Sequence, residues 1–130
     1  MPLVFDTSIL IALERKDQDT LNKLQAIAEE YNASPFITFI NLFEILMGMK
    51  LITPRRYKEA MTFVKKFDVL NTTDETSKIL ADLKFKYDKK GTALPLADLI
   101  IASLVVENKM TLVTKDRDFE KIEELEKVLV

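Results

Sequence analysis

Short apolar runs and longer amphipathic stretches alternate along the whole chain, and this alternation restricts the fold more than any other feature. Leu3-Val4-Phe5, the segment "SPFITF", Asp68-Val69-Leu70, "TLVT" and the closing "KVLV" each have the length and composition of a strand. Between them lie helix patterns. Strands separated by helices pair in parallel, with the crossovers covering both faces of the sheet. The expected fold class is therefore α/β, with a central parallel sheet of four to five strands.

The helix patterns are individually readable. One is expected from about Ser8 to Lys16, and a second from about Asp19 to Tyr31, with Leu21, Leu24, Ala28 and Tyr31 on one face. "NLFEILMGMK" follows, then "TPRRYKEAMTFVKKF", where Thr53 is the expected N-cap and Pro54 the first helical residue. Tyr57, Ala60, Met61, Val64 and Phe67 form its apolar stripe. A long helix carries Ile79, Leu83 and Tyr87 four apart and ends near Gly91. The next helix starts at Pro95 and is apolar nearly all round, as a buried helix is. "DFEKIEEL" reads as a last short helix.

With 130 residues, 48% of them hydrophobic, the chain suits a single domain, 1–130, with a real core. Charges interrupt every apolar run before it could span a bilayer, and "MPLVFD" has no signal-peptide pattern. A soluble, cytoplasmic protein is expected. The chain has no histidine and no cysteine, so imidazole or thiolate zinc sites, Ser-His-Asp triads and histidine-driven cleavage are all excluded. Carboxylates, hydroxyls, amides and cationic side chains remain, a set suited to a hard ion such as Mg²⁺ or Mn²⁺. The net charge of −2 argues against coating nucleic acid by bulk electrostatics.

In parallel α/β sheets, functional groups gather beyond the carboxyl ends of the strands. Four acidic positions fit that rule. Asp6 closes the first strand, Glu44 lies early in the helix after "PFITF", Asp98 lies in the first turn after Pro95, and Asp116, with Asp118 nearby, follows "TLVT". Each also has an ordinary explanation. Asn41 to Glu44 has the spacing of a capping box with Asn41 as the cap, Asp98 would suit a helix dipole, and Asp116 and Asp118 would suit turns. Asp98 is the hardest to dismiss, because its neighbours are apolar and no lysine or arginine lies within one turn of it.

"LVFDTSILIALE", "ITFINLFEILMG" and "LPLADLIIASLVVENKMTLVTKDRDFEKI" together resemble the PIN-domain ribonucleases, most closely the VapC-type toxins of prokaryotic toxin–antitoxin pairs. The most specific parts are Asp6-Thr7-Ser8, the "ADLIIA" helix start, and Thr114-x-Asp116-x-Asp118-Phe119. The resemblance implies a PIN-like three-layer α/β/α sandwich and a metal-dependent endoribonuclease leaving 5′-phosphate and 3′-hydroxyl ends. It matches Asp6, Glu44, Asp98 and Asp116 to the family's acidic set. Asp6, Asp98 and Asp116 are the expected direct ligands of Mg²⁺, with Mn²⁺ able to substitute. Glu44 is expected to act through water or as a base. Asp118 is a second choice for the fourth acid, and Thr7, Ser8 and Thr114 would support the site by hydrogen bonds.

Lys115 and Arg117 interleave with the last acidic motif and are the first candidates for RNA contact, ahead of Arg15 and Lys16. The resemblance further implies a homodimer and a VapB-type antitoxin whose C-terminal segment crosses the active-site groove. Apolar surface on "LFEILMGM", including Met47 and Met49, and on the second helix would suit such a segment. Other small Mg²⁺-binding α/β proteins fit less well. A receiver domain wants an acidic pair after the first strand and an aspartate after the middle one; a haloacid-dehalogenase-like phosphatase wants Asp-x-Asp where this chain has Asp6-Thr7-Ser8. A housekeeping RNA-processing nuclease and a non-cleaving PIN-like binding module are the alternatives within the resemblance.

Overall fold

The computed structural model describes residues 2–31 and 34–130, apart from the side chains of Glu30 and Tyr31. Five strands, β1 (Leu3–Phe5), β2 (Phe36–Thr38), β3 (Asp68–Leu70), β4 (Thr111–Thr114) and β5 (Lys127–Leu129), form one sheet in the order β3-β2-β1-β4-β5. Every pairing is parallel. Among the described residues six helices join β1 to β4: α1 (Thr7–Glu14), α2 (Gln18–Tyr31), α3 (Phe39–Met49), α4 (Pro54–Val64), α5 (Asp74–Lys89) and α6 (Leu96–Glu107).

Alternation along the strands divides the core between the two faces of the sheet. Leu3, Phe5, Ile37 and Val113 pack with Ile9, Leu10, Leu24, Met49, Ala60 and Val64 of α1–α4. Val4 and Leu112 pack with Leu83, Tyr87, Leu99, Ile101 and Val105 of α5 and α6, and with Phe119, Ile122 and Leu125. These are the three layers expected of a PIN-like sandwich. α6 buries six residues from Leu99 to Val105, consistent with its apolar circumference.

The chain steps outward from β1 to β2 to β3. It then returns over the other face through α5 and α6 and pairs β4 with β1. The strand order thus reverses direction between β1 and β4, and the crevice beyond their carboxyl ends is where such sheets bind ligands.

Several sequence expectations need correction. The α3 capping box uses Thr38 as N-cap and Asn41 as its third residue, three positions upstream of the expected Asn41–Glu44 box, so Glu44 lies in the second turn. Thr38 wins because it ends β2 in extended backbone with its hydroxyl free to accept from Asn41 N–H. Pro95 is the cap of α6 rather than its first residue. "DFEKIEEL" gives only a 3₁₀ turn, Arg117–Lys121, begun by Asp116 accepting a hydrogen bond from Asp118 N–H. Tyr57 and Ala28 are exposed rather than part of their stripes, while Met49 is buried and Met47 exposed. The expectation for the Tyr31 side chain lies outside the described residues.

Candidate active site

β1 and β4 run in register, Phe5 beside Val113, so Asp6 and Thr114 leave the sheet side by side. Asp6 is only 6% exposed. A buried carboxylate is costly without hydrogen bonds, and Asp6 accepts three. Ser8 Oγ and Thr114 Oγ1 donate to its Oδ2 at 3.1 and 2.8 Å, and Asn41 Nδ2 donates to its Oδ1 at 3.3 Å. Thr114 Oγ1 in turn accepts from Asp116 N–H at 3.0 Å, which folds the segment after β4 back toward β1. Ser8 Oγ accepts from Lys115 N–H at 3.1 Å. Ser8 and Thr114 thus hydrogen-bond Asp6, and the third hydroxyl, that of Thr7, serves a different acid. Its Oγ1 donates to Glu44 Oε1 at 2.7 Å.

Asp98, Asp116 and Asp118 each offer a carboxylate oxygen within 4.8 Å of the others. The 3₁₀ turn brings both Asp116 and Asp118 to Asp98. Asp6 and Glu44 stand beside this group, and their charges reach it. Burial first, then the charges of Asp116, Asp6, Asp118 and Glu44, push the Asp98 carboxyl from the ordinary 3.8 up to about 6. A helix N-terminus alone favours an anion by about 0.3–1 kcal/mol and would lower that value. Desolvation and like charge outweigh the dipole at this carboxyl. The N-cap of α6, Pro95, makes no side-chain capping hydrogen bond.

The donor chemistry fits a hard divalent cation. Three carboxylates converge without imidazole or thiolate. Among the described residues no lysine or arginine forms an ion pair with Asp98 or Asp116, and Lys121 alone reaches Asp118, at 3.3 Å.

The expected RNA-contacting residues stand at the rim. Lys115 Nζ is tied to Thr20 Oγ1 at 2.9 Å and to Asp17 at 3.4 Å, anchoring it to the start of α2. The hydrogen bond from Thr20, helped by Lys115, holds the Asp17 carboxyl below its usual range. Arg117 is largely exposed and pairs with Glu120 at 3.2 Å. Beside Glu44, a groove of about 290 Å³ runs between α1 and the α3–α4 pair, with Ile11, Ile45, Gly48 and Ile52 along it and Arg15 and Arg56 among its walls. Arg56, 3.9 Å from Glu14, was not foreseen as part of this surface. Nor was Asn41 foreseen beyond its cap. The spacing Thr38-x-x-Asn41 directly after β2 is the signal that exposes its local partner, but nothing local points to Asp6.

A sequence profile of the PIN domain matches residues 3–125. The chain belongs to the PIN-domain family. This PIN domain is similar to the ribonuclease VapC3 of Methanocaldococcus jannaschii, 32% identical over 104 residues, which cover 80% of this chain and 98% of that protein. It is also similar to a ribonuclease VapC of Rickettsia bellii, 28% identical, covering all of this chain and 97% of that one. In fold it matches the VapBC2 complex of Rickettsia felis bound to promoter DNA, with a TM-score of 0.86 at 22% identity over 100% of this chain and 99% of that one. DNA-bound VapBC from Salmonella typhimurium follows at 0.82 and 20% identity, over 98% and 97% of the two chains. Among the described residues no helix is long and apolar enough to cross a membrane.

Proposed function

We propose that this PIN domain is a divalent-metal-dependent endoribonuclease and the toxin of a VapBC-type pair. The observation that carries the reading is the meeting of Asp98, Asp116 and Asp118 within 4.8 Å at the switch between β1 and β4, with Asp6 and Glu44 alongside. Relatives named ribonuclease VapC over nearly their whole length support it.

Asp98, Asp116 and Asp118 would hold Mg²⁺, or Mn²⁺ in its place, with Asp6 completing the ligand set directly or through water. When bound, the ion neutralises phosphoryl oxygens and makes water a better nucleophile. The protein's own groups do the rest. Thr7 fixes the Glu44 carboxylate, which orients the attacking water and takes its proton. Ser8, Thr114 and Asn41 keep Asp6 in one rotamer facing the cluster. Without an imidazole to relay the 2′-hydroxyl proton, the products are 5′-phosphate and 3′-hydroxyl ends.

Lys115 and Arg117 guide the RNA strand across the rim, and the groove with Arg15 and Arg56 receives the antitoxin's C-terminal segment. Phe43 and Met47 on successive turns of α3, Leu51 just beyond it and Leu96 at the start of α6 are 56, 55, 92 and 55% exposed. That apolar surface, beside Glu44 and Asp98 in the chain, suits a homodimer contact. The test is cleavage of a mixed RNA pool by antitoxin-free protein with Mg²⁺, Mn²⁺ or EDTA, and by Asp98→Asn. Metal-dependent cutting with 5′-phosphate ends, lost in the variant, is expected. Absence of cutting together with absence of Mn²⁺ binding would leave a non-cleaving module.

A further inference from the structure

We propose that Asn41 is a positioning residue whose side-chain amide locks the carboxylates of Asp6 and Glu44 into a fixed pair facing the aspartate cluster. The inference rests on the metal-dependent reading above and adds to it a residue outside the acidic set.

Asn41 is fully buried, and every hydrogen-bonding position of its amide is filled. Its Oδ1 accepts from Thr38 N–H at 2.9 Å and from Thr38 Oγ1 at 2.8 Å. Its Nδ2 donates to Asp6 Oδ1 at 3.3 Å and to Thr7 Oγ1 at 3.0 Å. The amide can face only one way. Reversed, it would set its NH₂ against a backbone N–H, which cannot accept, and its oxygen against a carboxylate. That orientation fixes the next bond as well. Thr7 receives a hydrogen from Asn41, so its own single proton goes to Glu44 Oε1. The chain Thr38→Asn41→Thr7→Glu44 therefore has a single direction, with a branch to Asp6. Hydrogen bonds aligned in this way strengthen one another.

Capping alone does not explain an asparagine here. Of the Asn41 side chain, the α3 box uses only Oδ1, which accepts from Thr38; Nδ2 takes no part. The same molecule builds a second box at α5 with threonine in the equivalent place. There Thr76 Oγ1 accepts from Thr73 N–H at 2.9 Å and Thr76 N–H donates to Thr73 Oγ1 at 3.4 Å. A hydroxyl suffices for the cap. What it lacks is a pair of donors that reach Asp6, 35 residues away, and, through Thr7, Glu44 one turn further along α3.

This comparison supplies the test. Asn41→Thr gives α3 the threonine box that already caps α5, keeps the charge unchanged, and withdraws the donors from Asp6 and Thr7. Thr7→Val leaves the cap and the Asp6 branch intact and cuts only the link to Glu44, while Thr7→Ser retains it. Mn²⁺ binding without RNA would be followed through the signal of free Mn²⁺ in electron paramagnetic resonance, beside thermal unfolding in EDTA. Loss of a partner behind metal ligands commonly weakens affinity by about 10–100-fold. About a 10-fold loss is expected for Asn41→Thr while it remains folded at the assay temperature, a smaller loss for Thr7→Val, and wild-type affinity for Thr7→Ser. Wild-type affinity in both Asn41→Thr and Thr7→Val overturns the positioning role. A wild-type protein that binds no Mn²⁺ overturns the metal reading beneath it, a separate and recognisable result.

Discussion

Replacing Asp98 with asparagine keeps the side chain's volume and removes its charge. Burial and the surrounding acids push this carboxyl from 3.8 up to about 6, so its ionised form opposes folding at pH 7. At 1.36 kcal/mol per pH unit the ceiling on that opposition is about 3 kcal/mol. The side chain is only half-buried, and solvent screening takes most of such an interaction, leaving about 1 kcal/mol. Metal-free Asp98→Asn should therefore exceed the wild type in stability at pH 7 by about 1 kcal/mol, or roughly 3–5 °C. The advantage should shrink toward pH 4. Between about pH 4 and 6 the folded wild type keeps a proton that the unfolded chain has released, so its stability falls as pH rises through that window. Calorimetry in EDTA across this range reads the difference directly. Added Mg²⁺ should reverse the order, since an ion at 100 times its dissociation constant contributes about 2.7 kcal/mol to the wild type alone. A metal-free wild type more stable than Asp98→Asn at pH 7 would refute the reasoning and return Asp98 to a helix-dipole role.

Three other outcomes follow from particular contacts. Gly48 lies in α3 on the groove, and a Cβ there would meet nothing within 4 Å; Gly48→Ala should stabilise the fold by about 0.5–1 kcal/mol in chemical denaturation, and a loss would mean the helix needs the glycine. The buried Tyr87 hydroxyl accepts from Glu123 N–H at 2.8 Å and donates to Glu124 Oε1 at 2.7 Å. Tyr87→Phe should cost about 1–2 kcal/mol, and an unchanged melting curve would show that this turn contributes nothing to stability. Phe43→Lys combined with Leu51→Lys should convert a dimer to monomers in sedimentation velocity while retaining Mn²⁺ binding; an unaltered mass would move the dimer contact elsewhere.

The strands could be read from the sequence because each is a short buried run, and α6 because nothing polar interrupts its circumference. Asp6, Glu44, Asp98 and Asp116 could be singled out because topology sends strand ends and helix starts to the same edge. Asn41 was half visible. Its bond to Thr38 is local and follows from spacing, but its bonds to Asp6 and Thr7 span 35 and 34 residues and belong to tertiary packing. Asp118 ranks below Asp116 in the sequence because Asp116 directly follows the strand end and Asp118 would suit a cap of the next helix, whereas the tighter 3₁₀ turn carries both side chains to Asp98. The rim cations were legible as charges only. That Lys115 is held by Thr20 and Asp17 depends on where α2 packs, which periodicity does not reveal.

The pairing of β1 with β4 has a consequence for how the molecule comes into being. Asp6 is made well before the hydroxyl that steadies it: Thr114 arrives 108 residues later. Contacts this distant in sequence close late, after the intervening loop entropy has been overcome. A growing chain that has completed β1, β2 and β3 still lacks β4, Asp116 and Asp118, and so has no cluster to load. The cluster then forms only once β4 and the turn beyond it have been made, rather than building gradually. A fragment halted at residue 110 should be harmless to RNA, and the interval before β4 is made is one in which an inhibitor can already be waiting.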